Sequence, residues 1–417
     1  MDIRLLHKVF SSTTGICTDT RKVKKDNLFV ALKGENFNGN HFAHAALKAG
    51  CKYALVDEVM DESDDRFIQV VDCLGALQEL AHFHRSKLKC PIIAITGSNG
   101  KTTTKELLIE VLSSTYTVGA TEGNLNNHIG VPLTLLSFPL DLGIGIVEMG
   151  ANHQGEIRQL CEIANPKYGL ITNIGKAHLE GFGGPEGVKR GKKELLDYLN
   201  SHGGKFFLNL KEESLAFLQP EIKKPILFGG VKTPPDTQNA SSDPFLTFEW
   251  FDGADWVLQK TQLTGLYNLN NALGAIAIGI YFGVDSEKSK RSLEEYKPEN
   301  NRSEWRKSAK NEIILDAYNA NPSSVKEAIL NLDKLQLPNA MAILGDMLEL
   351  GEYADEEHAD VVNLLQNRQI ETILVGPIYS QVPNSKLQSF PTTEEAKAWI
   401  KTNPISKKVI LVKGSRG

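Results

Sequence analysis

Short apolar runs alternate with amphipathic segments along most of the chain. In the clearest case, an apolar run over residues 92–95 breaks into small polar residues at 96–104, and an amphipathic pattern then begins at Leu107. A short apolar run bounded by small residues suits a buried strand, whereas apolar side chains at helical spacing suit a helix. The pattern therefore predicts a strand, a loop and a helix in that order.

The loop between this strand and helix has the composition of a phosphate-binding site. Its glycines let backbone N–H groups approach a polyphosphate, the helix N-terminus attracts negative charge, Lys101 adds a cation and Thr102 offers a hydroxyl to Mg²⁺. The loop is shorter than the common pattern, which needs glycine where Ile95 stands, and a Gly-Lys-Thr run can also be an ordinary turn. The candidate nucleotide-binding residues are Gly97, Ser98, Asn99, Gly100, Lys101, Thr102 and Thr103.

The N-terminal part carries the pattern of a small α/β unit. Strands are predicted at 28–32, 53–56 and 67–71, and helices at 42–49 and 74–87. Two polar turns in this part have two interpretations. They are ordinary hydrophilic loops, or they form a site for a uridine diphosphate head group, which hydroxyls, an arginine and a glycine backbone would suit. The candidate residues in these turns are Thr18, Asp19, Thr20, Arg21, Lys33, Gly34, Asn38, Gly39 and His41.

Two further apolar runs lead to polar residues beside the predicted phosphate loop. The run 144–147 ends in Glu148, and the next predicted strand leads to His178. Ligands bind at the carboxyl ends of strands in parallel α/β sheets, where a carboxylate can hold Mg²⁺. The alternatives are an exposed strand-terminal glutamate and an ordinary histidine. Asn126 and Asn127, which lie between glycines, can bond ligand oxygens or simply form a turn.

The predicted helix 186–199 has a charged residue on its apolar face. Lys192 lies one turn after Val188, on the stripe that continues through Leu195 and Leu199. A lysine that faces inward must extend its ammonium to solvent, pair with an anion or lose its proton. The residues alone leave these three alternatives open.

Extended segments are predicted beyond this helix, at the rim of the central part. The runs 206–210 and 245–263 are expected to be antiparallel strands, with a hairpin turn at 252–253 in the second. A buried helix rich in Ala and Ile follows, and Asn268 and Asn271 share a face near its start. They either cap the helix or bind an adenine edge, since a carboxamide both donates and accepts hydrogen bonds.

Strands alternate with helices after a polar linker at 297–302. This alternation predicts a parallel sheet of the dinucleotide-binding type. The loops 316–322, 345–351 and 413–416 follow predicted strands and so lie at the ligand-binding edge of that sheet. Strands are predicted at 312–315, 341–344, 372–375 and 409–412, and helices at 323–335, 355–365 and 394–401.

Length and composition narrow the class of protein. A chain of 417 residues, 41% hydrophobic and 23% charged, suits two or three folded domains. The net charge of -5 gives no electrostatic reason to expect a nucleic-acid partner. The five cysteines have no C-x-x-C spacing and indicate neither disulfides nor zinc. Because there is no signal peptide, no membrane-length apolar run and no sign of an obligate interface, we expect a cytoplasmic monomer.

Several segments together match the motifs of one family. The run T-G-x-N-G-K-T at 96–102 is similar to the phosphate loop of the Mur ligases, the ATP-dependent amide-forming enzymes of bacterial cell-wall precursor synthesis. This likeness accounts for the glycine that the loop lacks, and the chain resembles the family from end to end. The other matching segments are 19–21, 123–127, 148–156, 177–183, 316–322 and 345–351.

The resemblance implies an α/β fold of three domains. These are a small α/β UDP-substrate domain at 1–89, a central P-loop ATPase domain with a mainly parallel sheet at 90–297, and a C-terminal Rossmann-like domain with a parallel sheet at 298–417. The last of these is expected to close over the site.

The resemblance also implies cofactors and residue roles. ATP and two Mg²⁺ ions are expected, with Thr102 and Glu148 on one ion and His178 on the second. Lys192 aligns with a lysine that the family carries as a carbamate, an anion that bridges or orients the metal. Lys101, His178 and Lys192 are the catalytic candidates. ATP would also contact Asn268, Asn271, Arg302 and Asp316. The UDP-linked substrate would contact Asn126 and Asn127. A dipeptide would contact Asn319, Asn321, Asp346 and Glu349.

Among Mur ligases, the motifs are most similar to those of the members that join D-alanyl-D-alanine to UDP-N-acetylmuramoyl-tripeptide through an acyl phosphate. The alternatives are another Mur-type amide ligase, folylpolyglutamate synthetase, or a nucleotide-gated switch without amino-acid substrates. The D-N-P-R run of the ligase that adds the third residue is absent, and 319–322 occupy that region. Two departures from the family pattern are Gly191 beside Lys192 and Asn301 before Arg302.

Overall fold

The structure is a computed structural model that describes residues 2–60, 63–231, 233–299, 301–383 and 387–415. Asn300 of the predicted linker and Arg416 of the last predicted strand-end loop lie outside these ranges. The predicted α/β class is confirmed, because the main sheets are parallel and flanked by helices. The domain boundaries themselves stay a prediction.

The N-terminal part is built on a four-stranded parallel sheet. Its elements are α1 (Ile3–Ser11), β1 (Ile16–Cys17), β2 (Leu28–Val30), β3 (Lys33–Gly34), β4 (Phe37–Asn38), α2 (Ala43–Lys48), β5 (Tyr53–Val56), β6 (Phe67–Gln69) and α3 (Cys73–Lys87). The sheet order is β1-β2-β5-β6, and β3 pairs with β4 as a separate ribbon. Asp72 begins α3 by accepting the N–H groups of Leu74 and Gly75.

A six-stranded parallel sheet forms the central part. Its elements are β7 (Ile92–Thr96), α4 (Lys101–Ser113), β8 (Val118–Ala120), α5 (Gly130–Ser137), β9 (Ile144–Glu148), α6 (Glu156–Ala164), β10 (Tyr168–Ile171), α7 (Leu179–Phe182), α8 (Pro185–Ser201), β11 (Lys205–Asn209) and β12 (Pro225–Phe228). The order is β12-β11-β10-β7-β9-β8. The predicted strand, loop and helix are thus confirmed as β7, the phosphate loop and α4.

The prediction that 206–210 is an antiparallel rim strand is wrong. This segment is β11, which runs parallel to both β10 and β12 inside the central sheet. Helix α8 connects β10 to β11, and a strand that follows a helical crossover returns parallel to the strand before it. The error came from judging the segment without its preceding helix.

The predicted antiparallel hairpin is confirmed in a small separate sheet. Its strands are β13 (Asp236–Ser242), β14 (Phe245–Phe251) and β15 (Trp256–Thr264), which pair in that order. The turn between β14 and β15 includes the predicted residues 252–253. Two helices follow, α9 (Asn268–Tyr281) and α10 (Ser286–Glu295).

The C-terminal part contains a second six-stranded sheet. Its elements are β16 (Glu304–Lys307), β17 (Glu312–Leu315), α11 (Pro322–Lys334), β18 (Ala340–Gly345), α12 (Ala354–Asn367), β19 (Glu371–Val375), α13 (Pro377–Gln381), β20 (Gln388–Phe390), α14 (Thr393–Thr402) and β21 (Val409–Lys413). The order is β16-β17-β21-β18-β19-β20. The predicted parallel strands are confirmed, and β16 adds an antiparallel edge.

Helices cover both faces of the central sheet. The apolar side chains of α4 and α9 pack with β7, β9 and β10 on one face. On the other face, α5, α6 and α8 pack together with α3 of the N-terminal part. No helix in the described ranges combines the length and the apolar character that a bilayer crossing requires.

Candidate active site

A cavity of about 480 Å³ lies between the central and C-terminal sheets, at the carboxyl ends of their strands. It brings together side chains that are far apart in the sequence. The predicted residues that line it are Ser98, Asn99, Gly100, Lys101, Thr102, Thr103, Asn126, Asn127, Glu148, His178, Asn268, Asn271, Arg302, Asp316, Asn319 and Asn321.

Two glycines of the phosphate loop are required by its backbone. Gly97 has φ +143° and Gly100 has φ +78°, both in the region that L side chains rarely adopt. A Cβ on Gly97 would come within 2.0 Å of Oγ1 of Thr172, and one on Gly100 within 2.2 Å of Oδ1 of Asn271. The loop can therefore lie close to both neighbouring segments only because these positions have no side chain.

The loop is fixed by hydrogen bonds to the end of β10. The backbone N–H of Asn99 donates to Oδ1 of Asn173 at 3.0 Å, and Nδ2 of Asn173 donates back to the Asn99 carbonyl at 3.1 Å. The hydroxyl of Thr172 donates to the same carbonyl at 2.5 Å. Asn173 was not predicted as a site residue, although a polar residue directly after a predicted central strand is a usable signal.

Lys101 folds back over the loop. Its Nζ donates to the carbonyl oxygens of Gly97 at 2.8 Å and Ser98 at 3.2 Å. Burial lowers the pKa of Lys101, and the nearby Glu148 carboxylate opposes that shift. An ammonium held by two backbone carbonyls at the N-terminus of a helix suits an anionic ligand such as a phosphate.

Thr102 and Glu148 form the predicted pair beneath the loop. The hydroxyl of Thr102 donates to Oε2 of Glu148 at 2.9 Å, and Nδ2 of Asn126 donates to Oε1 at 2.8 Å. Glu148 is only 1% exposed. These are hard oxygen donors, and Mg²⁺ commonly takes one or two such protein ligands and completes its shell with water and phosphate. The donor set fits Mg²⁺, although no cluster of three or more His, Cys, Asp or Glu side chains suited to a metal occurs in the described ranges.

Lys192 is buried beside this cavity. Its side chain is 1% exposed, its Nζ donates to the carbonyl of Ala151 at 3.4 Å, and the ammonium lies 5.1 Å from the ring centre of Phe182. Extension of the amine to solvent is therefore excluded. Burial lowers the pKa of Lys192 well below its usual value, and the charge of Lys101 adds to the shift. Among the described residues, no carboxylate lies within ion-pair distance of Nζ.

Several contacts join the central and C-terminal domains around the cavity. Nδ2 of Asn321, at the start of α11, donates to Oδ1 of Asn99 at 2.7 Å. Nδ1 of His178 is hydrogen-bonded to the carboxylate of Glu349. The side chain of Lys176 is ion-paired with Glu357, a buried residue of α12. Burial lowers the pKa of His178, and the Glu349 carboxylate opposes that shift.

Like Glu349, Asp346 lies outside the lining of the cavity, unlike the other two predicted dipeptide residues. Its carboxylate accepts the N–H groups of Ile378 at 2.9 Å and Tyr379 at 3.0 Å, at the start of α13. Asp346 does not line the cavity, whereas Asn319 and Asn321 do. Contact of these residues with a dipeptide stays a prediction, and the position of Asp346 gives it no support.

The residues predicted to contact the nucleoside part of ATP also line the cavity. Nδ2 of Asn271 donates to Oδ1 of Asn268 at 2.8 Å, so the two share a hydrogen bond as well as a helix face. The guanidinium of Arg302 lies 3.6 Å from the ring centre of Tyr318, and its buried Nε has no partner among the described residues. An unpaired buried donor facing a cavity is suited to a ligand oxygen.

Asp316 has a partner that the sequence analysis missed. Nζ of Lys413 donates to Oδ2 of Asp316 at 2.7 Å and to the carbonyl of Asn319 at 3.2 Å. Lys413 is 3% exposed and lines the cavity. Lys413, the last residue of β21, thus fixes the loop that follows β17. The side chain reaches this loop because β17 and β21 are paired in the sheet.

The predicted UDP-binding residues of the N-terminal part do not line this cavity. Asp19 accepts the N–H of Arg21 at 3.0 Å and forms an ion pair with its guanidinium at 2.8 Å. Lys33 is ion-paired with Asp57 at 3.0 Å and Glu58 at 3.1 Å. Both segments follow the carboxyl ends of the neighbouring parallel strands β1 and β2. Contact with UDP remains a prediction.

The site combines a phosphate loop, the Thr102 hydroxyl paired with the Glu148 carboxylate, and a Rossmann-like domain across the cavity. This combination is that of a nucleotide-dependent ligase of the Mur type. Sequence models of the family match three successive ranges: the Mur ligase family catalytic domain at 12–85, the Mur ligase middle domain at 95–279, and the Mur ligase glutamate ligase domain at 301–416. The chain therefore belongs to the Mur ligase family.

Individual relatives narrow the comparison. The chain is 34% identical over 421 residues to the UDP-N-acetylmuramoyl-tripeptide--D-alanyl-D-alanine ligase of Bacillus subtilis (strain 168), with 97% of this chain and 90% of the relative covered. It is similar to the crystal structure I of MurF from Acinetobacter baumannii, with a TM-score of 0.89, 30% identity and coverage of 99% and 95%. The MurF ligase of Thermotoga maritima in complex with ADP gives a TM-score of 0.84, 25% identity and coverage of 100% and 95%.

Proposed function

We propose that the protein joins D-alanyl-D-alanine to UDP-N-acetylmuramoyl-tripeptide and converts ATP to ADP and phosphate. The observation that carries this proposal is the cavity in which the phosphate loop, the Thr102–Glu148 pair and the loops of the C-terminal sheet meet. The near full-length likeness to a ligase named for these two substrates supports the choice within the family. The product is the UDP-linked pentapeptide precursor of peptidoglycan, and because ATP and UDP-linked substrates are cytoplasmic, we place the reaction there.

The reaction has two steps. The terminal carboxylate of the tripeptide attacks the γ-phosphorus of ATP, ADP leaves, and an acyl phosphate forms. The amine of D-alanyl-D-alanine then attacks the acyl carbon, the C–O bond to phosphate breaks, and the amine loses a proton. Both steps require reactants held in line more than they require covalent help from the protein.

The residues of the phosphate loop hold the nucleotide. The backbone N–H groups at the start of α4 and the ammonium of Lys101 receive the phosphates, while Asn173 holds the N–H groups of Ser98 and Asn99 and keeps the loop in shape. Thr102 and Glu148 would hold Mg²⁺, which supplies charge neutralisation at the transferring phosphoryl group. Asn268, Asn271 and Arg302 receive the nucleoside end of ATP, where the unpaired Nε of Arg302 gains a partner.

The C-terminal domain completes the site. Its contacts to Asn99, Lys176 and His178 bring loop 316–321 over the phosphate loop and limit access of water. Exclusion of water matters because an acyl phosphate is readily hydrolysed. The amine of the dipeptide is expected to enter where Asn319 and Asn321 line the cavity.

Lys192 acts, in this proposal, as a carbamate. Burial that lowers the pKa of the Lys192 amine favours its uncharged form, and an uncharged amine can add CO₂ to give an N-carboxylate and a proton. The carbamate would supply negative charge beside the metal site. A carbamate carbon signal after equilibration with ¹³C-bicarbonate, present in the wild type and absent in Lys192→Met, tests this assignment.

A phosphate-release assay tests the proposed function. We expect release only when ATP, UDP-N-acetylmuramoyl-tripeptide and D-alanyl-D-alanine are all present, and Lys101→Ala should abolish it while leaving UDP-substrate binding intact. Lys189→Ala, which removes an exposed lysine paired with Glu186, is the matched control. Release with a single amino acid in place of the dipeptide, with folate substrates, or without any acceptor would identify a sibling ligase, folylpolyglutamate synthetase or a nucleotide switch instead.

A further inference from the structure

His178 and Glu349 come from different domains and meet in an unusual backbone setting. Both have positive φ, +52° for His178 and +60° for Glu349, which side chains with a Cβ adopt at some cost. Their segments are also joined by the backbone, since the N–H of Glu180 donates to the carbonyl of Glu349 at 3.3 Å. Such strained conformations persist where the surroundings determine them.

The loop that carries Glu349 is fixed from within its own domain. The N–H of Leu348 donates to the hydroxyl of Ser415 at 3.0 Å, and the N–H of Met347 donates to Nε2 of the buried His358 at 3.0 Å. Gly351 follows with φ +54°, and a Cβ there would lie 3.1 Å from Cβ of Glu180. The carboxylate of Glu349 is therefore presented to the central domain by a rigid loop.

The hydrogen bond determines the state of the imidazole. A carboxylate only accepts hydrogen bonds, so Nδ1 of His178 carries the proton in this contact. Nε2 is then the nitrogen without a proton in the neutral ring, and His178 lines the same cavity as Lys101 and Thr102. A carboxylate on one ring nitrogen fixes the tautomer and the orientation of the ring.

We propose that Glu349 is a positioning residue: it fixes the tautomer and orientation of His178 from the opposite domain, so that the reaction centre is complete only when the C-terminal domain is docked. This inference rests on the proposed function for its kinetic consequence. It replaces the expectation that Glu349 binds the dipeptide directly. The two ideas predict different kinetics, because a dipeptide contact affects KM for that substrate, whereas a misplaced imidazole affects kcat.

The test compares Glu349→Ala and Glu349→Gln with Glu352→Ala, which removes an exposed carboxylate three residues further along the same segment. Steady-state kinetics with D-alanyl-D-alanine are measured for the full chain. In Glu349→Ala we expect kcat to fall about 10- to 100-fold, with KM for the dipeptide within about twofold, as for other losses of a carboxylate behind a functional histidine. The Gln variant should recover part of kcat because its amide oxygen still accepts from Nδ1.

A second readout does not depend on activity. The side-chain ¹⁵N shifts of His178, assigned with His178→Gln, should show Nδ1–H in the wild type and in Glu352→Ala, and a mixture of tautomers in Glu349→Ala. Unchanged tautomers in Glu349→Ala, or a raised KM for the dipeptide with kcat intact, would overturn the proposal. If no turnover occurs with D-alanyl-D-alanine even in the wild type, the proposed function fails, while the ¹⁵N shifts still decide whether Glu349 positions His178.

Discussion

Asn321, the residue that begins helix α11, donates a hydrogen bond of 2.7 Å from Nδ2 to Oδ1 of Asn99 in the phosphate loop. The same side chain caps its own helix, because its Oδ1 accepts the N–H of Ser324 at 3.0 Å. The oxygen of the Asn321 carboxamide thus accepts a hydrogen bond within the C-terminal domain, and its nitrogen donates one to the phosphate loop. The contact links helix α11 directly to the residues that receive phosphate.

Replacement of Asn321 separates these two tasks. Asn321→Ser keeps a helix-capping hydroxyl and loses the donor to Asn99, so we expect an unchanged melting temperature and a loss of about 3- to 10-fold in kcat/KM for ATP. Asn321→Asp also keeps the cap but places a carboxylate beside the phosphate loop, and it should lose more. Wild-type kinetics in both variants would show that the contact has no part in turnover.

Lys192→Met should separate stability from activity. The substitution keeps an unbranched side chain of similar volume and removes a buried amine that has no ionic partner among the residues the structure describes. We expect the free energy of unfolding to stay within about 1 kcal/mol of the wild type or to rise, and turnover to be lost. Lys193→Met is the control, since the adjacent lysine pairs at the surface with Asp197 and Glu221. A large loss of stability in Lys192→Met would indicate a structural role, and urea unfolding measures it.

Arg85→Met tests the attachment of the N-terminal part. Nε of Arg85 donates to the carbonyl of Ala164 at 2.9 Å and its other nitrogens to those of Leu88 at 3.1 Å and Asn165 at 3.2 Å. The cation thus satisfies carbonyls at the C-terminus of α6. Arg85→Met leaves these carbonyls unpaired and should lower the free energy of unfolding by about 2–4 kcal/mol. Arg66→Met removes an exposed ion pair and should leave the free energy of unfolding nearly unchanged. Urea unfolding measures both, and equal costs would contradict the argument.

His358 predicts a dependence of stability on pH. Its Nδ1 bonds the carbonyl of Ala354 at 2.6 Å and its Nε2 accepts the N–H of Met347, so the native ring is neutral. Burial lowers the pKa of His358. The hydrogen bond to Ala354 and the charges of Asp346, Asp355 and Glu357 act in the opposite direction and offset only part of this shift. The unfolded chain therefore binds this proton more readily than the folded chain.

The sign of the effect follows from that difference. The contribution of His358 is fully present above about pH 6.5, the usual pKa of histidine, and is lost as the pH falls towards the lowered folded value, by up to about 1.4 kcal/mol per pH unit. We expect the stability gap between the wild type and His358→Leu to shrink from pH 7.5 to pH 5.5. A constant gap for His358→Leu would contradict the assignment.

Local signals predicted the elements that carry chemistry. The apolar run of β7, the glycines of the loop and the amphipathic start of α4 sufficed for the phosphate site, and Lys192 was recognised because it breaks an apolar stripe. The helices α1, α6 and α10 and the edge strands β8, β16 and β20 were not predicted. Edge strands are short and partly exposed, so their side chains give little pattern.

The error at β11 shows how a local judgement fails. Its apolar side chains are buried on both faces, which is typical of parallel strands, but the run is too short to reveal its direction. The partners Asn173 and Lys413 were likewise present in predicted loops without a role. The contacts of these two residues depend on the order of the strands in each sheet, and no single segment of the sequence determines that order.

The sequence alone determined the class of fold, the nucleotide loop and the type of each candidate side chain, because these depend on spacing within a few residues. Only the tertiary structure decided which of them meet. The pairing of Thr102 with Glu148, of Asn99 with Asn321 and of His178 with Glu349 joins residues from separate strand ends. The physical reason is that parallel sheets gather distant strand ends at one edge, and the docking of one domain on another sets the remaining distances.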